Sequence, residues 1–151
     1  MSGARVPTAV LISGRGSNMA ALLDAAADPA FPAEIGLVLS NDPAAPGLAR
    51  AAAAGVGTAA VDHRAFGRDR EGFERAMSAR IEAAGAEIVC LAGFMRLLTP
   101  WFVRRWRDRL VNIHPALLPA FRGLDTHARA LAAGVALHGC TVHLVREEMD
   151  D

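Results

Sequence analysis

The sequence has no lysine, although 16 of its 151 residues are basic. All of these are arginine, so the chain has no side-chain amine to form a Schiff base or to clamp a phosphate as the lysine of a P-loop does. The 16 acidic residues balance the basic ones, and the formal net charge is zero. Because there is no excess of positive charge to attract a polyanion, we predict no nucleic-acid partner and no membrane partner.

Cysteine and long apolar runs are also scarce. The two cysteines, Cys90 and Cys140, each lie within an apolar run, and their spacing does not match a metal site. We therefore predict two reduced, buried thiols in a cytoplasmic protein and no bound metal. The apolar run at residues 6–13 is too short to span a membrane and leads into a glycine-rich loop, so we expect neither a signal peptide nor a membrane anchor there.

The apolar residues are arranged for a layered α/β fold. They make up 52% of the chain, and short apolar runs alternate with amphipathic stretches. The pattern predicts strands over residues 8–13, 35–40, 57–61, 87–92, 109–113 and 140–145. It predicts helices over residues 18–28, 46–55, 69–85 and 126–134. This alternation indicates a single Rossmann-like, doubly wound domain with a mostly parallel sheet and helices on both faces.

In such a fold, ligands bind beyond the carboxyl ends of the strands. The first strand is followed by GRGSN, residues 14–18. Gly14 and Gly16 can adopt a positive φ and let an anion approach the backbone, and Ser17 or Asn18 can cap the helix, whose N-terminal N–H groups favour a phosphate. The loop has neither a Walker motif nor the third glycine of a dinucleotide fingerprint. We predict an anion site here, with NAD binding as the lesser alternative.

Two later strand ends also carry candidate groups. The fourth strand leads into AGFMRLL, residues 92–98, where Gly93 permits close approach of a ligand and Arg96 can hold a carboxylate. The apolar wall of this cleft would come from Met95, Leu97 and Leu98.

The fifth strand ends in NIHP, where Asn112 and His114 are two residues apart and therefore face the same side of a strand. An amide donor can stabilise a developing oxyanion, and an imidazole beside it can transfer a proton. Asp150, beyond the sixth strand, could orient His114, but its spacing alone favours a solvated acidic tail.

Four motifs together resemble the phosphoribosylglycinamide formyltransferases of purine biosynthesis. They are LISGRGSN, LAGFMRLLTP, NIHPALLPAF, and HGCTVHLV followed by EMDD, and the resemblance covers the chain from Thr8 onward. It implies metal-independent transfer of the formyl group of 10-formyltetrahydrofolate to the amine of glycinamide ribonucleotide. Methionyl-tRNA formyltransferase and formyltetrahydrofolate deformylase share NIHP and LLP and remain alternatives, as does a non-catalytic Rossmann-like nucleotide binder. The GRGSN loop favours the glycinamide ribonucleotide enzymes.

The resemblance also implies a role for each candidate residue. The residues expected to bind the substrate phosphate are Gly16, Ser17, Asn18 and Arg70. Those expected to line the cleft for the substrate and the folate are Gly93, Met95, Arg96, Leu97 and Leu98. The expected catalytic set is Asn112, His114 and Asp150. The amide and the protonated imidazole would stabilise a tetrahedral oxyanion, while the carboxylate would support the imidazole and order water.

Members of this family continue past the acidic motif with further strands and a helix, whereas this sequence ends at Asp151. We therefore expect residues 1–151 to be the N-terminal, catalytic part of a longer formyltransferase domain. Chain ends fray, so the hypothesis includes a weakly held Asp150 and impaired catalysis. The expected partners are the two small-molecule substrates, and a homodimer is left open.

Overall fold

The computed structural model describes residues 5–114 and 141–145. The strands in these ranges are β1 Val6–Ile12, β2 Ala33–Ser40, β3 Gly57–Ala60, β4 Ile88–Leu91, β5 Leu110–His114 and β6 Thr141–Leu144. The α-helices are α1 Ser17–Ala26, α2 Pro46–Ala53, α3 Arg70–Ala83 and α4 Pro100–Arg105, and a 3₁₀ helix covers His63–Phe66. Each of the six strands lies within two residues of its predicted bounds at either end.

The strands form one sheet in the order β3-β2-β1-β4-β5-β6. The first five are parallel, and β6 pairs antiparallel with β5. The chain winds outward from β1 through β2 to β3, and then returns to the other side of β1 for β4. The prediction of a doubly wound, mostly parallel sheet is therefore confirmed. The switch point between β1 and β4 is the place where such sheets bind ligands.

Helices cover both faces of the sheet, as predicted. Neighbouring residues of β1 point to opposite faces, because side chains alternate along a strand. Val10 belongs to a core cluster that includes Met19 of α1, whereas Leu11 belongs to a second cluster with Met77 of α3 and Trp106. All five residues are at most 1% exposed, so a fully buried core lies on each face of the sheet.

The sequence pattern did not predict α4. A six-residue helix is too short to be stable through its own hydrogen bonds, so contacts from elsewhere must hold it. Glu74 of α3 provides such contacts at the start of α4, where its carboxylate accepts hydrogen bonds from the Thr99 amide and hydroxyl, each at 2.5 Å. Trp106, directly after α4, is 1% exposed in the core. The predicted helix over 126–134 lies outside the described residues.

Candidate functional site at the carboxyl edge of the sheet

The loop after β1 presents backbone donors at the start of α1. Gly16 has φ 72° and is the N-cap residue of α1, which confirms the positive φ predicted there. Gly14 has no positive φ, so that prediction was wrong. Ser17 and Asn18 lie inside the helix and no side chain caps it, so the predicted cap is also wrong. The first-turn N–H groups therefore have no intrahelical acceptor and no capping side chain, which suits an anion.

The N-terminus of α2 supports this loop from behind. The Gly47 amide donates to the Gly14 carbonyl at 3.0 Å, and Arg50 Nη1 donates to the Arg15 carbonyl at 3.1 Å. A Cβ added at Gly47 would overlap Ile12 Cδ1 and lie 3.0 Å from the Gly14 oxygen. Only glycine lets the two segments approach so closely. The sequence pattern predicted that Gly47 lies near the start of a helix, but it did not predict a contact with residues 14–18, which we call the anion loop.

The structure brings this loop against the end of β5. Asn112 is half-buried and pairs in the sheet between Leu91 of β4 and His143 of β6. Asn18 Nδ2 lies 3.5 Å from the carbonyl oxygen of Ile113, the residue between Asn112 and His114. Two motifs that are about a hundred residues apart in the sequence thus meet at one edge, as expected for strand ends in a parallel sheet.

Of the other two predicted catalytic residues, His114 is described by its backbone. The backbone of His114 continues β5 and pairs with Thr141 of β6, so β5 is unbroken from Asn112 to His114. Asp150 lies outside the described residues. The catalytic roles of Asn112, His114 and Asp150 remain predictions.

The segment after β4 exposes apolar side chains. Gly93 has φ 76°, which turns the chain away from the strand. Beyond it, Met95 is 80% exposed and Leu97 is 64% exposed, and these are the two large apolar side chains exposed among the described residues. Leu98, in contrast, is partly buried and packs against the second core cluster. An exposed apolar wall beside polar strand ends is the expected lining of a ligand cleft.

Two arginines lie in a cleft beside this wall. Arg70, the first residue of α3, and Arg96 line it together with Leu97 and the ring of His63. Neither guanidinium has an ion-pair partner within the described ranges. By contrast, Arg64 donates to Asp62 at 2.9 Å, and this hydrogen bond holds the pKa of the Asp62 carboxyl below its usual range. The structure thus groups Arg70 with the predicted folate residues, and its predicted phosphate contact is not among the contacts described.

Three further polar residues connect the strand ends, and the sequence pattern did not indicate them. The Ser13 hydroxyl donates to Asn41 Oδ1 at 2.6 Å, and Asn41 Nδ2 lies 3.1 Å from His63 Nδ1. The Met95 amide donates to the Ser13 hydroxyl oxygen at 2.8 Å. Ser13 and Asn41 follow β1 and β2 directly, and His63 follows β3 after two residues. Position at the end of a parallel strand was the available signal.

Two negative observations apply to residues 5–114 and 141–145. In these ranges, no three His, Cys, Asp or Glu side chains come together as metal ligands would. No described helix combines the length and the apolar character that a membrane span requires.

Cys90 is buried as predicted, and burial raises the pKa of its thiol far above the usual value, whereas Cys140 lies outside the described residues.

This chain is similar in sequence and in fold to proteins of a known family. Residues 6–151 match the formyl transferase family. The chain is 46% identical over 142 residues to the trifunctional purine biosynthetic protein adenosine-3 of Bos taurus, covering 94% of this chain and 14% of that protein. It is 44% identical over 141 residues to phosphoribosylglycinamide formyltransferase of Escherichia coli (strain K12), covering 93% of this chain and 66% of that protein. The chain thus spans less than two thirds of the length of either relative.

A solved structure agrees with these sequence matches. The crystal structure of phosphoribosylglycinamide formyltransferase from Brucella melitensis superposes with a TM-score of 0.76 at 46% identity, covering 96% of this chain and 75% of that one. The sequence match and the shared fold confirm the family prediction made from the four motifs. The chain belongs to the formyl transferase family, and it matches members named phosphoribosylglycinamide formyltransferases.

Proposed function

We propose that this chain transfers the formyl group of 10-formyltetrahydrofolate to the amine of glycinamide ribonucleotide, a step of purine biosynthesis. The observation that carries the proposal is the contact between Asn18 Nδ2 and the Ile113 carbonyl at 3.5 Å. It sets a helix N-terminus suited to a phosphate beside a strand end that carries an amide and an imidazole. A ribonucleotide bound by its phosphate at the first site would have its amine within reach of the second.

The proposed phosphate site is built mainly from backbone. Gly16 turns the chain at φ 72°, so that the first N–H groups of α1 point to the site. Ser17 is exposed and Asn18 is half-buried, and both can add a side-chain donor. The partial positive charge of the helix N-terminus favours a dianionic phosphate, which compensates for the absence of lysine.

The proposed folate site is the wall after β4. Met95 and Leu97 expose apolar surface on which a flat heteroaromatic ring can pack. Arg96 and Arg70 supply guanidinium groups that can bind polar or carboxylate groups of the same ligand bidentately. The position of Arg70 beside Leu97 and Arg96 makes a folate contact an alternative to its predicted phosphate contact.

The proposed chemistry is acyl transfer through one tetrahedral intermediate. The substrate amine attacks the formyl carbon, a C–N bond forms, and the formyl oxygen takes the negative charge. Asn112 and protonated His114 stabilise that oxygen by donating hydrogen bonds, with Asp150 supporting the imidazole. The bond from the formyl carbon to folate N10 then breaks as one proton passes from the attacking amine to N10. Formylated ribonucleotide and tetrahydrofolate are the products.

The proposed function is tested by measuring formylated product. The chain is mixed with glycinamide ribonucleotide and 10-formyltetrahydrofolate, and product is followed by mass spectrometry. We expect product from the wild type and a turnover at least about 10²-fold lower from His114→Ala, since loss of one oxyanion donor costs that much. Binding of each substrate, measured by calorimetry on both proteins, is the control for folding. A wild type that binds both substrates and forms no product would contradict the proposal, and so would an unaffected His114→Ala.

The role of Arg70 is tested by measuring the Michaelis constant for each substrate separately. Arg70→Ala should raise KM for the ribonucleotide if the side chain binds the phosphate, and KM for the folate if it binds in the cleft with Arg96. Arg68→Ala is the matched control, because Arg68 is also exposed, precedes α3 by two residues and does not line this cleft. Equal effects of the two substitutions on both constants would remove Arg70 from either site.

A further inference from the structure

We propose that Ser13, Asn41 and His63 form a positioning network that sets the conformation of the folate wall, residues 93–98. The proposal rests on the formyl-transfer function proposed above. The network acts through a single backbone contact, the hydrogen bond from the Met95 amide to the Ser13 hydroxyl oxygen at 2.8 Å. None of its three members is proposed to touch the reacting atoms.

The hydrogen bonds from Met95 through Ser13 to Asn41 run in one consistent direction. Because Ser13 Oγ accepts from Met95, its single hydrogen is available for Asn41 Oδ1, 2.6 Å away. That bond fixes the orientation of the Asn41 amide and turns Nδ2 toward His63 Nδ1 at 3.1 Å. His63 Nδ1 also lies 3.1 Å from the Asn41 carbonyl oxygen, so this ring nitrogen accepts from Asn41 Nδ2 in one tautomer and donates to the carbonyl oxygen in the other. The backbone oxygen of Asn41 meanwhile accepts from the His63 amide at 3.3 Å.

The network is placed where a conformational constraint is needed. Met95 is 80% exposed and Leu97 is 64% exposed, so core packing does not hold these two side chains. Within the described part of the chain, the Ser13–Met95 bond is the hydrogen bond that joins residues 93–98 to the other strand ends. Asn41, in contrast, is only 5% exposed, so the amide that supports Ser13 is shielded from competing water.

The network also crosses the switch point of the sheet. Its members follow β1, β2 and β3, while the bonded amide follows β4, and β1 and β4 are the neighbours at which the strand order reverses. Ser13 directly precedes the anion loop 14–18. One hydroxyl therefore sets the relative position of the proposed phosphate loop and the proposed folate wall. This coupling predicts a role in binding the folate rather than in the chemical step.

Ser13→Ala is the direct test, and it has one readout that needs no activity. Amide hydrogen exchange of Met95, followed by NMR, should become at least about 5-fold faster, as expected for loss of a hydrogen bond worth about 1 kcal/mol. KM for 10-formyltetrahydrofolate should rise about 5-fold while kcat stays within about twofold. Ser78→Ala is the matched control, because it removes another hydroxyl that donates to one side chain and accepts from an N–H, but away from the carboxyl edge. It should change neither value.

Asn41 provides a second, independent variant pair. Asn41→Ala removes the acceptor for Ser13 and should raise the folate KM as Ser13→Ala does. Asn41→Asp keeps that acceptor and should restore at least part of the loss, which a bulk effect on stability would not explain. Unchanged Met95 exchange and folate KM in both Ser13→Ala and Asn41→Ala would overturn the proposal. A rise confined to the ribonucleotide KM would overturn it too, since the network would then act on the anion loop.

The two proposals fail in different ways. If the wild type forms no formylated product, the proposed function fails, while Met95 exchange in Ser13→Ala still decides whether the network holds the wall. If the wild type is active and the variants bind folate as it does, only the network fails.

Discussion

Polar side chains serve different purposes at the α3–α4 interface and at the carboxyl edge of the sheet. At the interface the buried Trp106 Nε1 donates to the buried Ser78 hydroxyl at 3.1 Å, and that hydroxyl donates to the exposed Glu82 carboxylate at 2.7 Å. At the edge, the N-terminus of α1 has no side-chain cap, and Met95 and Leu97 are exposed.

The contrast distinguishes groups that stabilise the fold from groups that are left for a ligand. Satisfied buried hydrogen bonds contribute to the free energy of unfolding, whereas an uncapped helix end and exposed apolar side chains lower it. Proteins depart from local stability rules mainly where function requires it. Substitutions at the edge should therefore change activity more than stability, and those at the interface should do the reverse.

The largest effect is expected at Asn112. Asn112→Ala should lower turnover by about 10²-fold or more, because one oxyanion donor is lost, while the free energy of unfolding changes by less than about 1 kcal/mol. Single-turnover kinetics and denaturant titration measure the two quantities. A variant that loses stability and keeps its turnover would reverse the comparison for this residue.

Gly47 should show the next largest effect, on both quantities. Gly47→Ala forces a methyl group against Ile12 and the Gly14 oxygen, so the anion loop must move. We expect a loss of about 1 to 3 kcal/mol of stability and a higher KM for the ribonucleotide. Gly36→Ala is the control, since a Cβ at Gly36 meets nothing within 4 Å and its φ is not positive. Equal behaviour of the two variants would mean that the close approach is not required.

Ser78 should affect stability alone. Ser78→Ala leaves the indole N–H of Trp106, which is 1% exposed, without its acceptor. Thermal or denaturant unfolding should report a loss of about 1 to 2 kcal/mol, with unchanged Michaelis constants. Ser17→Ala, at an exposed serine of the anion loop, is the mirror-image variant and should raise the ribonucleotide KM with little change in stability. A raised ribonucleotide KM in Ser78→Ala, or a loss of stability with an unchanged KM in Ser17→Ala, would contradict the comparison.

The smallest effect is expected at Glu74, and it depends on pH. Burial raises the pKa of the Glu74 carboxyl, although its hydrogen bonds from Thr99 act in the opposite direction. The folded state thus favours the protonated form, so this group's contribution to stability is complete below its unfolded pKa and is lost as pH rises through its folded pKa. Glu74→Gln removes this dependence. The difference in unfolding free energy between variant and wild type should move in the variant's favour as pH rises above the unfolded pKa of the carboxyl and through its folded pKa. A constant difference would show that Glu74 titrates alike in both states.

The elements that the sequence predicted well have strong local patterns. Most of the strands are short apolar runs, and α3 repeats Phe73, Met77 and Ile81 at helical spacing, with all three buried. The mostly apolar strands also indicate a parallel sheet, in which ligands bind beyond the carboxyl ends of the strands. This pattern alone predicts that Gly16, Asn18 and Asn112 lie at one edge of the sheet.

The features that the sequence did not reveal depend on distant parts of the chain. Ser13 and Met95 are 82 residues apart, and Asn41 and His63 are 22 apart, so no local spacing relates them. The predicted cap at Ser17 or Asn18 failed because the chain enters α1 through Gly16, and this left the helix N-terminus without a side-chain acceptor.

By itself, the sequence determined the α/β class, the order of strands and helices, and the family, because periodicity and motifs are properties of contiguous residues. The tertiary structure alone decided that α2 supports the anion loop through Gly47 and that Glu74 holds the start of α4. It also decided that the Met95 amide, after β4, donates to the hydroxyl of Ser13, the residue before the anion loop. Each of these contacts joins atoms from separate elements, and folding must set those elements at distances of about 3 Å before such contacts exist.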